Sequence, residues 1–119
     1  MYELKLEQFS GPIEKLLELI EEKHLAITEL SLAEITADFL NYLKKIDSST
    51  SLTIEPRLLA DFVAVAAQLL LIKSKALLPD LKLTSEEEEK IKDLEGRLFF
   101  YQQFKPAINY LKELSENRN

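Results

Sequence analysis

The sequence contains no cysteine, no tryptophan and only two glycines among its 119 residues. Without cysteine the chain forms neither a disulfide framework nor a thiolate metal site, as is usual in a reducing cytoplasm. With so few glycines and only four prolines, few positions force a helix to break. Hydrophobic residues make up 46% of the chain and charged residues 30%, a composition typical of a folded protein. We expect an all-α protein of one domain, or one domain with an extension.

The single histidine, His24, limits the catalytic and metal chemistry that the chain can support. Glu21 and His24 have the Glu-x-x-His spacing of di-iron helical bundles, but such a site needs a second copy of the motif and two further glutamates. No other histidine and no cysteine is available to build a nucleophile–base pair. Gly11 and Gly96 stand alone and do not form a phosphate-binding loop. We expect no enzyme activity, no cofactor, no metal and no small-molecule substrate.

The charge distribution argues against direct contact with DNA or a membrane. The net charge is −6, which disfavours binding to a phosphate backbone. The first twelve residues show no basic segment followed by an apolar run, so no signal peptide is visible. The most apolar stretch, residues 62–72, is bounded by Asp61 and Lys73 and is too short to span a bilayer. We expect a cytoplasmic protein.

The first half of the chain predicts two helices joined by short connectors. Alternation over residues 2–6 indicates a short extended segment. Pro12 is well placed to begin a first helix that runs to about Glu22. A second helix is predicted over residues 32–46, with Ser31 and Glu34 as its capping box. The preceding connector, residues 26–30, is read as extended, and the polar residues 47–53 as a loop.

The third helix, residues 56–78, carries more apolar surface than one buried face requires. A heptad-like stripe consists of Leu58, Phe62, Val65, Leu69, Ile72 and Ala76. A second stripe beside it consists of Leu59, Val63, Ala66, Leu70 and Leu77. Either this helix is central and wrapped by its own domain, or one stripe awaits a partner helix. The stripe that faces outward is left open, although the heptad spacing favours the first.

The last part of the chain predicts a helix rich in aromatic residues. An acidic linker, residues 80–90, separates it from the third helix, and its four glutamates suit a solvated first helical turn. The fourth helix is predicted from about Glu86 to Phe104, with Pro106 kinking or restarting it. The apolar side chains of residues 98–104 surround the helix, so we expect a second binding element that is loosely attached to the rest.

Four stretches of the chain resemble one protein family, in order and at the family's spacing. They are residues 9–20 (FSGPIEKLLELI), 35–43 (ITADFLNYL), 62–79 (FVAVAAQLLLIKSKALLP) and 97–105 (RLFFYQQFK). Together they are similar to bacterial ScpA, the kleisin subunit of the SMC–ScpAB condensin complex. Lys75 stands where the family often has arginine, which preserves the charge.

The resemblance implies a non-catalytic bridging role in chromosome condensation and segregation. Residues 1–79 are expected to dock on the coiled coil next to an SMC ATPase head. Residues 91–119 are expected to bind the ScpB dimer, with residues 80–90 as the linker. The winged-helix domain that caps the second SMC head in the family is not expected within these 119 residues, so they are expected to be a fragment of the full protein. Contact with DNA is expected only through the complex, and localisation at the nucleoid.

Two sets of residues are expected to carry these contacts. The SMC interface is assigned to Leu58, Phe62, Val65, Leu69, Ile72, Lys73 and Ala76. The ScpB interface is assigned to Leu98, Phe100, Tyr101, Phe104, Ile108 and Leu111. The alternative is a self-associating helical adaptor that forms a homodimer through its third helix. An enzyme would require a polar cleft, which the sequence does not offer.

Overall fold

The structure, a computed structural model, describes residues 11–50 and 55–117. These residues form four α-helices and no strand, which confirms the all-α prediction. The helices are α1 (Pro12–Glu22), α2 (Glu29–Thr50), α3 (Pro56–Leu77) and α4 (Ser85–Glu116). The extended segment expected over residues 2–6 lies outside the described residues.

Local sequence determines both ends of α1. Pro12 occupies the first helical position, as predicted, and the backbone N–H of Gly11 donates to Glu14 Oε1 at 3.1 Å. At the other end His24 has φ 58°, the left-handed conformation that closes a Schellman motif. Its N–H donates to the Glu21 carbonyl at 3.1 Å, and the Leu25 N–H donates to the Ile20 carbonyl at 3.0 Å. His24 therefore serves as a helix-terminating residue.

Helix α2 begins earlier and ends later than the sequence predicted. Thr28 is the capping residue, because its hydroxyl accepts from the Ser31 N–H at 3.1 Å and its carbonyl from the Leu32 N–H at 3.0 Å. The predicted capping box of Ser31 and Glu34 is wrong, since Ser31 lies inside the first turn and is buried. The polar loop predicted over residues 47–53 is also wrong where α2 continues to Thr50.

Helix α4 begins as predicted but does not stop at Phe104. The Thr84 hydroxyl accepts from the Glu87 N–H at 3.1 Å, and the Glu87 carboxylate accepts from the Thr84 N–H at 2.9 Å. The helix then continues through Pro106 to Glu116. Proline removes one donor, the partner of the Gln102 carbonyl. Because Pro106 is exposed, water can reach that side of the helix, and the predicted restart does not occur.

One hydrophobic core is built from all four helices. Phe39 of α2 and Phe62 of α3 stack at its centre, with ring centroids 5.8 Å apart. The buried Thr36 hydroxyl donates to the Leu32 carbonyl at 2.8 Å, so it is buried without loss of a hydrogen bond. The buried apolar residues are Leu16, Leu17, Leu19, Ile20, Leu32, Ile35, Phe39, Ile46, Phe62, Val65, Ala66, Leu69, Ile72, Ile91, Leu94 and Leu98.

The first half of α4 belongs to this core. Ile91, Leu94 and Leu98 are fully buried, and the half-buried Leu83 packs on the core just before the helix begins. The predicted boundary over residues 80–90 therefore does not separate two packing units. That residues 1–79 and residues 91–119 bind different partners stays a prediction.

Candidate docking surfaces

The heptad-like stripe of α3 points into the protein. Phe62, Val65, Leu69 and Ile72 are buried in the core. Leu58 and Lys73 are half-buried and Ala76 is exposed, so only the ends of the proposed SMC set reach the surface. The outward orientation that the heptad spacing favoured is wrong, because the same spacing also suits a helix at the centre of a bundle. Burial of this stripe also disfavours a homodimer formed through it.

Most of the second stripe of α3 lies at the surface and continues onto α2, although its Ala66 is buried in the core. Val63 is 52% exposed and Leu70 48%, while Leu59 is half-buried. A groove of about 460 Å³ joins this stripe to α2 and is lined by Ala37, Leu40, Asn41, Leu43, Lys44, Leu59 and Val63. We call the surface formed by Leu40, Leu43, Leu59, Val63 and Leu70 the α2–α3 face.

The α2–α3 face extends along most of the two helices. Phe39 stacks on Phe62 near the middle, and Lys75 Nζ lies 3.1 Å from Glu29 Oε1 at one end, which makes the helices antiparallel. The exposed Leu77, which belongs to the second stripe, extends the apolar surface of α3 past Leu70. A helix of 22 residues such as α3 is about 33 Å long. An exposed apolar surface of this extent is typical of an interaction site.

Sequence reasoning noted the second stripe of α3 but assigned the SMC contact to the stripe that is buried, and it missed Leu40 of α2. Leu40 directly follows the buried Phe39, so helical geometry places it about 100° around α2 from the core stripe. An apolar residue outside the helical stripe that contains Phe39 was the available signal. Leu30 was not recognised as a surface residue of α2, because the first turn of this helix was predicted to be an extended connector.

The second half of α4 is attached to α1 by polar contacts. The Tyr101 hydroxyl donates to Glu14 Oε2 at 2.6 Å, and burial together with this hydrogen bond raises the pKa of Tyr101. Lys105 Nζ lies 3.2 Å from Glu21 Oε1, and Lys112 Nζ lies 3.6 Å from Glu14 Oε2. These contacts hold the second half of α4 beside α1. They lie on the side of α4 that continues the buried face of its first half.

Another side of this half, about 110° around α4 from these contacts, carries an apolar stripe that packs on no other helix of the described chain. Phe100, Phe104, Ala107, Leu111 and Leu114 follow one another at intervals of four, three, four and three residues, and all are exposed. The rings of Phe100 and Phe104 are 4.5 Å apart. We call these five residues the α4 stripe. A regular heptad spacing without a partner is typical of a helix that pairs with another helix.

The residues predicted to bind ScpB therefore lie on two different sides of α4. Leu98 is buried in the core, and Tyr101 and Ile108 are half-buried on the side that faces the bundle. Phe100, Phe104 and Leu111 are exposed on the α4 stripe. The structure thus divides the predicted set into three residues that hold the helix in place and three that are available to a partner.

A cluster of charges fastens the start of α4 to the end of α3. Lys75 Nζ lies 3.1 Å from carboxylate oxygens of both Glu29 and Glu88, and hydrogen bonds to Glu88 and Glu29 raise its pKa. Partial burial, with the charge of Glu29 as a smaller cause, raises the pKa of the neighbouring Glu95. Sequence reasoning noted the charge of Lys75 but not that it joins three helices.

No other chemistry is visible in the part of the chain that the structure describes. Residues 11–50 and 55–117 hold no group of three or more histidine, aspartate or glutamate side chains arranged for a metal ion. None of the helices in these ranges has the length and apolarity needed to cross a membrane. The two apolar surfaces, the α2–α3 face and the α4 stripe, are what this arrangement offers to a ligand.

Comparison with known proteins identifies related chains. The family profile described as "Segregation and condensation protein ScpA" matches residues 19–119. A protein named segregation and condensation protein A from Halothermothrix orenii is 37% identical over 113 residues, which cover 95% of this chain and 44% of that protein. No solved structure matched the chain.

Two further relatives carry the same name. The protein from Clostridium perfringens is 37% identical over 92% of this chain and 43% of its own length. The protein from Bacillus pumilus is 35% identical over 98% of this chain and 47% of its own length. The chain therefore spans less than half the length of the curated relatives that it matches.

Proposed function

Because the chain belongs to the family of segregation and condensation protein ScpA, we propose that it is the non-catalytic part of a kleisin that joins an SMC subunit to ScpB. The observation that supports this role is the presence of two apolar surfaces on different helices of one packed body. The α4 stripe is exposed, and the α2–α3 face is exposed at Val63 and Leu70 and half-buried at its other three residues. Each has the length of several helical turns.

The α2–α3 face suits the coiled coil beside an SMC head. It offers a groove between two antiparallel helices, and a third helix laid along it would complete a bundle. Its exposed residues are aliphatic, as is usual where helices pack on one another. This assignment replaces the buried residues of the heptad-like stripe with Val63, Leu70 and their neighbours.

The α4 stripe suits ScpB. Phe100 and Phe104 are large aromatic side chains on the surface, and aromatic residues commonly anchor protein interfaces. The stripe lies on the side of α4 away from the core, so both partners can be bound by the same chain. The proposed bridging role needs this separation.

DNA is contacted through the complex, at the nucleoid, and not by this chain itself. The net charge of −6 works against direct binding to phosphates. The chain is proposed to have no catalytic activity, because its role is to connect two partner proteins.

The test is a titration of the chain with an SMC head that carries its adjoining coiled coil, and separately with the ScpB dimer. Calorimetry should give saturable binding to each, and sedimentation should show a ternary complex when all three are mixed. Failure to bind either partner would refute the proposal. Binding of each partner only in the absence of the other would refute the bridging role. A chain that sediments as a stable dimer and ignores both partners would instead support the homodimer.

A further inference from the structure

Gly96 lies inside α4 at a place where the helix gains nothing from glycine. No glycine in the described residues has a positive φ, so the backbone does not need one there. A Cβ atom added to Gly96 would meet no atom within 4 Å. Compared with alanine, glycine inside a helix shifts the folding equilibrium about fivefold towards the unfolded state. Contacts within the described chain therefore do not explain why this residue lacks a side chain.

Gly96 borders an open groove between α1 and α4. The groove has a volume of about 520 Å³ and is lined by Ile13, Lys92, Asp93, Gly96, Arg97, Phe100 and Tyr101. Phe100, which is 62% exposed, also begins the α4 stripe. The groove is therefore continuous with the surface that we assign to ScpB.

Gly96 lies one helical turn before the α4 stripe, although the alternation of four and three residues itself continues backwards to Arg97. Gly96 lies four residues before Phe100, the same interval that separates Phe100 from Phe104. Because Gly96 and Phe100 line the same groove, a partner helix that packs on Phe100 and enters this groove also passes Gly96. The distance between two packed helices depends on the side chains at their contact, and a glycine permits the closest approach.

The charges beside Gly96 differ from those of the chain as a whole. Lys92 and Arg97 are exposed and, by helical geometry, flank the line of Gly96 and Phe100 on opposite sides. Neither forms an ion pair with another residue in the described ranges. Asp93 is the one acidic side chain that lines the groove. A locally basic rim on a chain of net charge −6 favours an occupant that carries carboxylates.

We infer that the groove at Gly96 receives a large apolar side chain from a helix of the partner, and that acidic residues flank this side chain. The inference rests on the proposed contact between the α4 stripe and ScpB, and it adds the residue that sets how closely the two helices approach. The apolar side chain occupies the space over Gly96, and its acidic neighbours pair with Lys92 and Arg97.

The experiment compares Gly96→Ala with Asn109→Ala, using the ScpB dimer as the probe. Both substitutions strengthen helix propensity at an exposed position of α4, but Asn109 lies on the side opposite the stripe. Each substitution should lower the unfolding equilibrium constant severalfold. Urea titration measures this change and also shows that the variant is folded. Only Gly96→Ala should weaken ScpB binding, by about tenfold or more, because the added methyl group occupies the contact.

A charge variant tests the second half of the inference. Arg97→Glu should weaken ScpB binding severalfold, and the remaining affinity should depend less on salt than that of the unmodified chain. An Arg97→Glu variant with unchanged affinity and unchanged salt dependence would refute the acidic partner.

The outcomes separate this inference from the proposed function. If the unmodified chain binds ScpB and Gly96→Ala binds equally well, the groove is not used and the bridging role stands. If Asn109→Ala loses as much affinity as Gly96→Ala, helix stiffness and not the groove is responsible, and the inference is wrong. If the unmodified chain does not bind ScpB at all, both are wrong.

Discussion

At the scale of single residues, Glu14 is the point where both ends of the described chain meet. One of its carboxylate oxygens accepts the Gly11 N–H, and the other accepts the Tyr101 hydroxyl and lies near Lys112. A carboxylate can accept several hydrogen bonds at once. Glu14 therefore caps α1 and fixes the second half of α4 beside it with the same side chain.

Tyr101→Phe tests this arrangement. Loss of the hydroxyl leaves Glu14 without its shortest contact, and we expect the free energy of unfolding to fall by about 1 kcal/mol, because the site is partly open to water. Tyr110→Phe is the matched control, since Tyr110 is 62% exposed. Urea titration of the two variants measures the difference. Equal stabilities would show that the Tyr101 hydroxyl contributes nothing.

The same hydrogen bond predicts a dependence on alkaline pH. The pKa of Tyr101 is raised in the folded chain, so the folded state holds its proton more tightly than the unfolded state. The stabilisation is then fully present below the ordinary tyrosine pKa of about 10 and is lost as the pH rises above it. The difference between the unmodified chain and Tyr101→Phe should be constant near neutral pH and should shrink in alkaline solution.

At the scale of helices, the sequence predicted the ends that are determined locally and missed those that depend on contacts. Pro12 determines where α1 begins, and Pro56 does the same for α3. For α2, both Thr28 and Ser31 carry a hydroxyl suited to capping, and the Lys75–Glu29 ion pair favours the earlier start. For α4, the rule that proline ends a helix fails because Pro106 lies on an exposed surface.

The orientation of α3 could not be derived from its own sequence. Both of its stripes are apolar and both have helical spacing, so neither pattern distinguishes the core from the surface. Which of the two stripes is buried depends on the contact with Phe39 and on the side of α3 against which α1 and α4 pack. A single helix carries no information about where its neighbours come to lie.

Leu70→Glu and Leu69→Glu distinguish the two stripes. Leu70 is 48% exposed, so a glutamate there should change stability by only about 0.5 kcal/mol while it abolishes binding of the SMC coiled coil. Leu69 is fully buried, and a charge there costs several kcal/mol and should unfold the chain. Circular dichroism and calorimetry measure the two effects. A folded Leu70→Glu variant with undiminished SMC binding would exclude the α2–α3 face.

Phe104→Ala makes the corresponding test on the α4 stripe. Truncation of an aromatic anchor commonly reduces binding by about 2 kcal/mol or more, so ScpB affinity should fall by more than tenfold. The binding of the SMC coiled coil should not change, because Phe104 lies outside the α2–α3 face. Equal losses towards both partners would mean that the two surfaces are not independent.

At the scale of the whole molecule, the chain is elongated because of one helix. Its extents are 57 × 32 × 26 Å, and the 32 residues of α4 alone reach about 48 Å. The first half of α4 completes the core and the second half lies along α1, so a single helix serves both packing and recognition. The sequence suggested two units because the linker and the aromatic cluster are local features, whereas the burial of Ile91 depends on the other three helices.

Two truncations test whether the core needs α4. A chain that ends at Pro79 loses Ile91, Leu94 and Leu98, each of which contributes about 1.5–3 kcal/mol through burial. That loss approaches the whole stability of a small domain, so we expect no cooperative thermal transition. A chain that ends at Lys105 keeps all three residues and should melt cooperatively. A cooperative transition for the chain that ends at Pro79 would instead support the prediction, made from the sequence, that the N-terminal part folds as an independent domain.

The continuity of α4 through Pro106 has a mechanical consequence. From Leu98, the last residue held in the core, to Glu116 the helix is about 27 Å long. If this part of α4 tilts as a rigid body, Leu98 is the point about which it rotates. A tilt of about 10° there would displace the far end by about 5 Å and would require Tyr101, Lys105 and Lys112 to shift against α1. A slight change of angle at Leu98 would thereby produce a larger displacement at Glu116.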